Sequence, residues 1–225
     1  MMMKWNSPYL QDSINLMGLK TTTLCDWVVT MMFLVMVAVS WFFASLTFCK
    51  TKTNTLIELK SIEMAWTSLP MVILALMASI SMKTLYMEEP SSQTPTMNLL
   101  VTGHQWYWEY YYPDFGINLD SYLAQWENSN YRNIECDCRT VLPLKTPLRI
   151  AVTSADVIHS WWLPSLGIKL DATPGRIIST IYNCYMPGLS FGFCAELCGA
   201  NHSYMPIALE HTPILLFKNW VTAMK

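Results

Sequence analysis

The carboxyl-terminal part of the chain contains several side chains that could bind a soft metal ion. Two cysteines, a histidine and a methionine follow one another with the spacing Cys-x3-Cys-x3-His-x2-Met, at Cys194, Cys198, His202 and Met205. A second imidazole, His159, lies upstream in the stretch DVIHSWW. Thiolate, imidazole and thioether are ligands of copper and zinc rather than of calcium or magnesium. The spacing therefore predicts a metal site built from one tight loop and the end of a strand.

The ligand types favour copper over zinc. Two cysteines and two histidines suit tetrahedral zinc, but zinc fingers separate their ligand pairs by about 12 residues, and zinc makes little use of a thioether. A blue copper ion takes one thiolate, histidine and a weak axial methionine. Two cysteines therefore favour two copper ions that share both sulfurs, with one histidine on each. Met205 would be axial on one ion, and the backbone carbonyl of Glu196 would be the weak ligand of the other.

Each of these residues also has an ordinary structural role open to it. Cys194 and Cys198 could form a disulfide, His202 could cap a turn, and Met205 could fill the core. Structural zinc is the alternative metal. A shared copper pair would spread one electron over two ions, which lowers the reorganisation on transfer and suits a one-electron relay.

The segments around this site predict a β domain. NLLVTGHQWYWEYYYP is rich in aromatic and β-branched residues, while PLRIAVTSA and RIISTIYN alternate, and PIALEHTPILLF closes the series. Pro-Gly pairs at Pro174-Gly175 and Pro187-Gly188 predict turns. Only the final FKNWVTAMK is compatible with a short helix. We expect residues 91–225 to form a single antiparallel β-sandwich or Greek-key barrel.

Two long apolar runs in residues 1–90 precede this domain. Residues 27–48 carry no charge, and a helix of that length, at ~1.5 Å per residue, crosses a hydrocarbon core of about 30 Å. The second run, residues 64–82, contains Pro70, which a membrane helix tolerates where neighbouring groups bond the freed carbonyl. We predict a transmembrane helical hairpin in the lipid bilayer, joined to the β domain by the polar linker MEEPSSQTPT.

Charge predicts the orientation of the hairpin and the kind of partner. The loop between the two spans carries Lys50, Lys52 and Lys60, so the positive-inside bias places it on the cytoplasm- or matrix-like side and both termini on the other. Residues 84–225 carry twelve acids and eight bases. That balance argues against nucleic acid and fits a basic partner, although it is also ordinary for a solubilising surface.

Over nearly its whole length the chain resembles the cytochrome c oxidase subunit II family. The resemblance rests on GHQWYW (103–108), DVIHSWWLPSLGIKLDATPGR (156–176) and CAELCGANHSYMP (194–206). It implies a cupredoxin-like β-barrel behind the hairpin. It also implies a subunit that accepts electrons from cytochrome c at a dinuclear copper A centre. Electrons then pass to haem in subunit I, which reduces oxygen and pumps protons.

The resemblance assigns roles to individual residues. It places copper A on six ligands: His159, Cys194, Glu196 (by its carbonyl), Cys198, His202 and Met205. It implies that the Glu196 carboxylate also binds magnesium at the contact with subunit I.

Further roles follow from the same resemblance for residues outside the ligand set. Trp106 would be the exposed tryptophan at which electrons enter, and Glu63 the mouth of a proton path into subunit I. Asp120, Asp137 and Asp156 would be acidic residues that dock cytochrome c. A tryptophan packed in a sheet and a glutamate that anchors a helix at the interface are the ordinary alternatives.

The chain also departs from the family pattern. Cys136 and Cys138 flank Asp137, where thiols are not expected, Glu109 is shifted from the usual position of an acid, and Phe193 replaces a polar residue. None of these positions is a ligand. A related quinol-oxidase subunit without copper ligands is one alternative, and a membrane-anchored metal carrier or zinc-stabilised scaffold is another.

The amino-terminal stretch MMMKWNSPYLQDS is not typical of a targeting segment. We expect the mitochondrial inner membrane, with the β domain and both termini in the intermembrane space and the lysine-bearing loop in the matrix. The expected partners are cytochrome c, subunit I and the other oxidase subunits. Neither span contains histidine, so we expect no haem ligand from this chain within the membrane.

Overall fold

The computed structural model describes residues 11–50, 59–87, 94–125, 127 and 131–225. These residues belong to two compact units. One comprises Lys20–Glu89, and the other joins Met1–Leu19 to Pro90–Lys225. Lys52 of the expected loop, most of the expected linker and the first ten residues of the amino terminus lie outside the described residues.

Two long helices contain the apolar runs, as predicted. Helix α1 spans Leu16–Phe48 and α2 spans Lys60–Met87 with Pro70 inside it, and both are long and apolar enough to cross a membrane. Helix α1 begins earlier than the apolar run at residue 27, because backbone hydrogen bonding continues through its more polar first turns. The hydroxyls of Thr30, Ser45 and Thr47 each donate to the carbonyl four residues earlier in α1, so these three donors are satisfied within the helix.

Ten strands lie within the described residues of the β domain. Their bounds are β1 Met97–His104, β2 Tyr107–Tyr112, β3 Ile117–Ser121, β4 Thr140–Pro143, β5 Leu148–Ser154, β6 His159–Leu163, β7 Ile168–Ala172, β8 Ile178–Tyr182, β9 Gly188–Cys194 and β10 Pro206–Thr212. One five-stranded sheet has the order β3-β2-β1-β5-β8 and the other has the order β4-β10-β9-β6-β7. The predicted two-sheet β fold is therefore confirmed.

The strand pairing is mixed rather than purely antiparallel. Strand β1 runs parallel to β5, and β10 runs parallel to β4, whereas the other neighbouring pairs are antiparallel. The expectation of an antiparallel sandwich was wrong for these two pairs. Alternation along a strand indicates which face it buries, but it carries no information about the direction of the neighbouring strand.

Alternating side chains of both sheets form the core. In β2, Trp108, Tyr110 and Tyr112 are fully buried, while Glu109 and Tyr111 between them face outward and are half-buried and exposed, respectively. The aromatic stretch that predicted a strand therefore supplies large apolar surface to one face only. The carboxyl-terminal helix α3, Ile214–Met224, includes the predicted short helix and buries Phe217 and Val221 at a spacing of four residues.

The residues around the beginning of α1 also pack against the β domain, at the 3-10 turn Pro164–Leu166 between β6 and β7. The backbone N–H of Ile14 donates to the carbonyl of Ser165 at 3.1 Å, and the Ile14 side chain is buried. At Gly18, a Cβ atom would lie 2.5 Å from the Ser165 carbonyl oxygen, so no larger residue fits without a shift. Nothing in the local sequence pattern predicted this contact.

Candidate metal centre

Two neighbouring strands bring the predicted ligands to one end of the β domain. His159 is the first residue of β6 and Cys194 is the last residue of β9. These strands pair in antiparallel register, with Trp161 opposite Cys194, so the start of one and the end of the other meet. The loop after β9 carries Cys198, and a short 3-10 turn, His202–Tyr204, leads to Met205 and β10.

The ligand atoms form one continuous group with the two sulfurs at its centre. The Sγ atoms of Cys194 and Cys198 are 3.9 Å apart, and both cysteines are free. This separation is far beyond the roughly 2 Å of a disulfide bond, so the two thiols remain available as ligands. His159, Cys194 and Cys198 are buried and offer ligand atoms within 4.8 Å of one another.

The remaining donors divide between the two sulfurs. The Cys194 Sγ atom lies 3.3 Å from the carbonyl oxygen of Glu196 and 3.9 Å from Nδ1 of His159. The Cys198 Sγ atom lies 3.5 Å from Nδ1 of His202 and 3.5 Å from Sδ of Met205. Each thiol thus has one imidazole and one weak donor beside it. This division fits the predicted pair of copper ions that share both sulfurs.

The pKa values of the two thiols shift in opposite directions from that of a free cysteine. Burial raises the pKa of Cys194, but hydrogen bonds with His159 and with the backbone of Ser160 and Glu196 outweigh it and lower that pKa to about 7. Burial and the neighbouring Cys194 sulfur raise the pKa of Cys198 to about 12. Two thiolates at this separation repel each other, and a bound cation would relieve that repulsion. The charge pattern is thus one that a metal would stabilise.

A carboxylate orients the first of the two histidines. Nε2 of His159 donates to Oδ1 of Asp156 at 2.8 Å, which leaves Nδ1 of the same ring facing Cys194. Partial burial raises the pKa of Asp156, but hydrogen bonds from His159 and from the Val157 and Gln105 N–H groups lower it below its usual value. Such a carboxylate–histidine pair selects the tautomer whose free nitrogen can bind a metal.

Residues from β2 and from the turn between β1 and β2 cover the same site. The Trp108 indole donates to the Met205 carbonyl at 3.3 Å, and its ring lies 5.9 Å from the His159 ring, centroid to centroid. Trp106 is half-buried rather than fully exposed, and its indole occupies the space where a side chain on Gly199 would lie. Gln105 donates its side-chain N–H to the Cys198 carbonyl at 2.8 Å. The stretch GHQWYW was the available signal, but its spacing alone did not indicate the roles of Gln105 and Trp108.

The acidic residues predicted for docking differ in their surroundings. Asp120 and Asp137 are exposed, and Asp120 lies opposite Glu109 across β2 and β3. Like charges directly opposite each other cost stability, so they fit a surface that attracts a cationic partner. Asp156 is also at the surface, but its carboxylate is bonded to His159 and to the Gln105 N–H.

The other sequence-predicted residues lie apart from the cluster or at its edge. Glu63 is in the first turn of α2, in the unit that contains the membrane helices. The Glu196 side chain is exposed while its carbonyl faces Cys194. Cys136 is buried with its thiol 3.5 Å from the Pro206 carbonyl, and Cys138 is half-buried. Within the described residues, these two thiols belong to no group that could hold a metal.

Two family models match consecutive parts of the chain. The model for the cytochrome c oxidase subunit II transmembrane domain matches residues 3–84. The model for the cytochrome c oxidase subunit II periplasmic domain matches residues 97–212, which include every residue of the candidate site.

Individual relatives agree with these matches. The chain is 40% identical to cytochrome c oxidase subunit 2 of Simulium vittatum, and 40% identical to that of Periplaneta americana, over 99% of each chain. Its β domain resembles the crystal structure of the periplasmic domain of cytochrome oxidase subunit II from Bradyrhizobium japonicum. That comparison has a TM-score of 0.56 and 38% identity, and covers 59% of this chain and 95% of the other.

Proposed function

The chain belongs to the cytochrome c oxidase subunit II family, and from this premise we propose that it is the subunit through which electrons enter the oxidase. It would accept them from reduced cytochrome c at a dinuclear copper A centre and pass them to haem in subunit I. Reduction of oxygen to water and proton pumping would take place in subunit I. The observation that carries the proposal is the pair of buried thiols 3.9 Å apart, with an imidazole beside each.

We assign the copper ligands to the six donors around the two sulfurs. His159 and the Glu196 carbonyl would serve the ion nearer Cys194, and His202 and Met205 the ion nearer Cys198. Two copper ions bound there supply a one-electron carrier whose charge is shared between them. The protein keeps the donors in place with two paired strands and a short turn, and burial of His159, both cysteines and Met205 shields most of the site from water. A rigid, dry ligand set needs little rearrangement when its charge changes.

Electron uptake would take place at the face that carries Trp106. Its indole packs beside Gly199, the residue after Cys198, so it offers a short route from the surface to the site. Asp120, Asp137 and Asp156 would form the acidic surface that docks basic cytochrome c. Complementary charge of this kind raises the association rate and makes it sensitive to salt.

Two glutamates would connect this subunit to subunit I. We propose that the exposed Glu196 carboxylate binds magnesium at the contact with subunit I. Its carbonyl would meanwhile serve copper, so one residue would join the two metal sites. We further propose Glu63, at the beginning of α2, as the mouth of a proton path into subunit I.

The two apolar helices fit a membrane protein of the respiratory chain. We propose the mitochondrial inner membrane, because the relatives that match 99% of the chain come from insects, whose respiratory oxidases work there. The lysine-bearing loop would face the matrix, and the β domain and both termini would face the intermembrane space. The boundary between anchor and copper domain would lie near residue 90.

A quinol-oxidase subunit, a metal carrier and a zinc-stabilised scaffold would each differ from the proposed subunit in the metal site. A quinol-oxidase subunit would lack the copper ligands, whereas this chain retains the full set. A metal carrier would need an open site that exchanges its ion, but Cys194, Cys198 and Met205 are each at most 7% exposed. A zinc-stabilised scaffold would have no use for Met205 at 3.5 Å from a cysteine sulfur.

Electron paramagnetic resonance of the full chain in detergent, loaded with copper and partly oxidised, tests the proposal. We expect the hyperfine pattern of one electron shared by two equivalent copper nuclei, with about two coppers per chain. Cys198→Ser should abolish the pattern, while Cys136→Ser, a change at another buried thiol, should leave it intact. A single-copper pattern, or tight zinc binding without copper uptake, would contradict the proposal.

A further inference from the structure

Gln105 joins the turn between β1 and β2 to both halves of the candidate site. Its backbone N–H donates to Oδ2 of Asp156 at 2.6 Å, and the other oxygen of that carboxylate holds His159. Its side-chain N–H donates to the Cys198 carbonyl at 2.8 Å. Gln105 is exposed, and exposed glutamines commonly point into solvent. Here the side chain instead bonds to a residue 93 positions later in the sequence, in the loop after β9 that carries Cys198 (the metal loop).

The same turn presses against the backbone of the metal loop at Gly199. A Cβ atom on Gly199 would lie 3.2 Å from Nε2 of Gln105 and 3.2 Å from Cζ2 of Trp106. Gly199 also has a φ of +123°, which L side chains rarely adopt. Absence of a side chain at this position therefore lets the glutamine amide and the indole edge lie directly on the loop that carries Cys198.

Trp106 has no polar contact of its own to keep it there. Its indole Nε1 is buried and has no hydrogen-bond partner among the described residues. The position of the ring therefore depends on packing against the loop and on the residue next to it. Gln105 is that residue, and it is bonded to the loop at Cys198.

We propose that Gln105 is a positioning residue for electron uptake: its bond to the Cys198 carbonyl holds the Trp106 indole against Gly199. The inference rests on the proposed function, because it concerns transfer through Trp106 to the copper centre. The Cys198 carbonyl is not among the proposed ligands. Loss of the bond should therefore move the indole away from the loop without changing the metal centre. Transfer over an enlarged gap is slower, whereas docking of the partner depends mainly on surface charge.

Two substitutions in the assembled oxidase separate positioning from docking. Gln105→Leu removes the donor without adding charge. Gln105→Glu has nearly the same shape, but its carboxylate cannot donate to the carbonyl, and it adds a negative charge to the face that would attract cytochrome c. Gln125→Leu is the matched control, because Gln125 is also an exposed glutamine. The probe is reduced cytochrome c, and the first-order transfer step is followed by flash photolysis at low ionic strength.

Both Gln105 variants should slow the first-order step by about tenfold or more, since small displacements of reacting groups have effects of this size. The copper hyperfine pattern and copper content should not change. Gln105→Glu should also associate with cytochrome c at least as fast as wild type, so that only its first-order step slows. Gln125→Leu should match wild type in every measurement.

Several results would overturn the proposal. An unchanged first-order step in both variants would mean that the bond does not position Trp106. Slower association in Gln105→Leu with a normal first-order step would make Gln105 a docking contact. Copper loss or an altered hyperfine pattern in both variants would make it a structural support of the centre. These results differ from failure of the proposed function itself, in which wild type would show neither a two-copper pattern nor transfer from cytochrome c.

Discussion

At the scale of single residues, His159 lies in the site with its two ring nitrogens facing different partners. Asp156 accepts from Nε2, and Nδ1 faces the sulfur of Cys194. The resemblance had suggested Asp156 only as a docking residue. Its bond to a proposed ligand adds a role in preparing the imidazole for a metal.

We therefore expect Asp156→Asn to weaken copper binding, because the neutral amide holds the required tautomer less firmly. Loss of such a partner commonly costs about 10-fold to 100-fold in metal affinity. Competition with a copper chelator measures the change. Asp137→Asn is the control, since Asp137 is exposed and, within the described part of the chain, its carboxylate accepts from the backbone N–H groups of Tyr122 and Cys138 and not from a histidine. Equal copper affinity in the two variants would show that the bond to His159 has no such role.

A second histidine, His211, should make the stability of the β domain depend on pH. His211 is buried between Tyr182, whose hydroxyl lies 2.9 Å from Nδ1, and Ser190, whose hydroxyl lies 2.9 Å from Nε2. Burial lowers the pKa of His211 to about 4. An unfolded chain would bind a proton at this histidine near pH 6.5, well before the folded domain does.

The stability contributed by neutral His211 should thus be complete above pH 6.5 and lost as pH falls from 6.5 to 4. The loss should amount to about 3 kcal/mol in the free energy of unfolding. Urea unfolding of the copper-free β domain at several pH values measures it. His211→Gln keeps a donor and an acceptor but does not titrate, so its curve should be flatter. Parallel curves for the two proteins would refute the assignment.

At the scale of elements, the first turn of α1 packs closely against the β domain at Gly18. Gly18 is the third residue of α1, and within a helix alanine is normally more favourable than glycine by up to about 1 kcal/mol. The Ser165 carbonyl, however, lies where a Cβ would be placed, at 2.5 Å. For Gly18→Ala, helix propensity therefore predicts a higher free energy of unfolding, whereas packing predicts a lower one.

We expect packing to prevail, so Gly18→Ala should lower the free energy of unfolding by roughly 1–3 kcal/mol, as overpacked sites commonly do. The obstacle is a backbone carbonyl rather than the end of a flexible side chain, so it cannot turn aside. Thermal unfolding of the full chain in detergent gives the sign directly. A higher melting temperature would mean that the segment yields easily and that propensity decides.

At the scale of the whole molecule, the excess of acids lies in the carboxyl-terminal part of the chain, where residues 84–225 carry twelve acids and eight bases. Exposed Asp120 and Asp137 belong to that excess, and Asp120 lies opposite Glu109 across paired strands. This surface would attract a basic partner at long range. Dissolved salt weakens that attraction, because at 0.1 M ionic strength charges more than about 10 Å apart are largely screened.

Association with cytochrome c should therefore slow steeply as ionic strength rises, and Asp120→Asn should reduce the rate at low salt by roughly two- to fivefold and make its dependence on salt less steep. Stopped-flow mixing at several salt concentrations measures both. Asp114→Asn makes the same charge change at the other end of β2, in the turn before β3, and should have a smaller effect. Equal effects of the two substitutions would mean that total charge rather than this surface steers the partner.

Much of this protein follows from the sequence by itself. The spacing of Cys194, Cys198, His202 and Met205 indicated a soft metal site, since ligand preference belongs to the residue types themselves. The uncharged run 27–48 and the alternating β segments indicated the membrane helices and the sheets, because these depend on periodicity along a few neighbouring residues.

Only the tertiary structure decided how those parts meet. It set β1 beside β5 in parallel, placed Ser165 against Gly18, and joined Gln105 to Cys198 and Asp156 to both Gln105 and His159. The physical reason is that such contacts depend on the register of strands and the path of loops between distant segments. A local pattern of residues indicates which face is buried, but it does not indicate which distant residue lies on the other side.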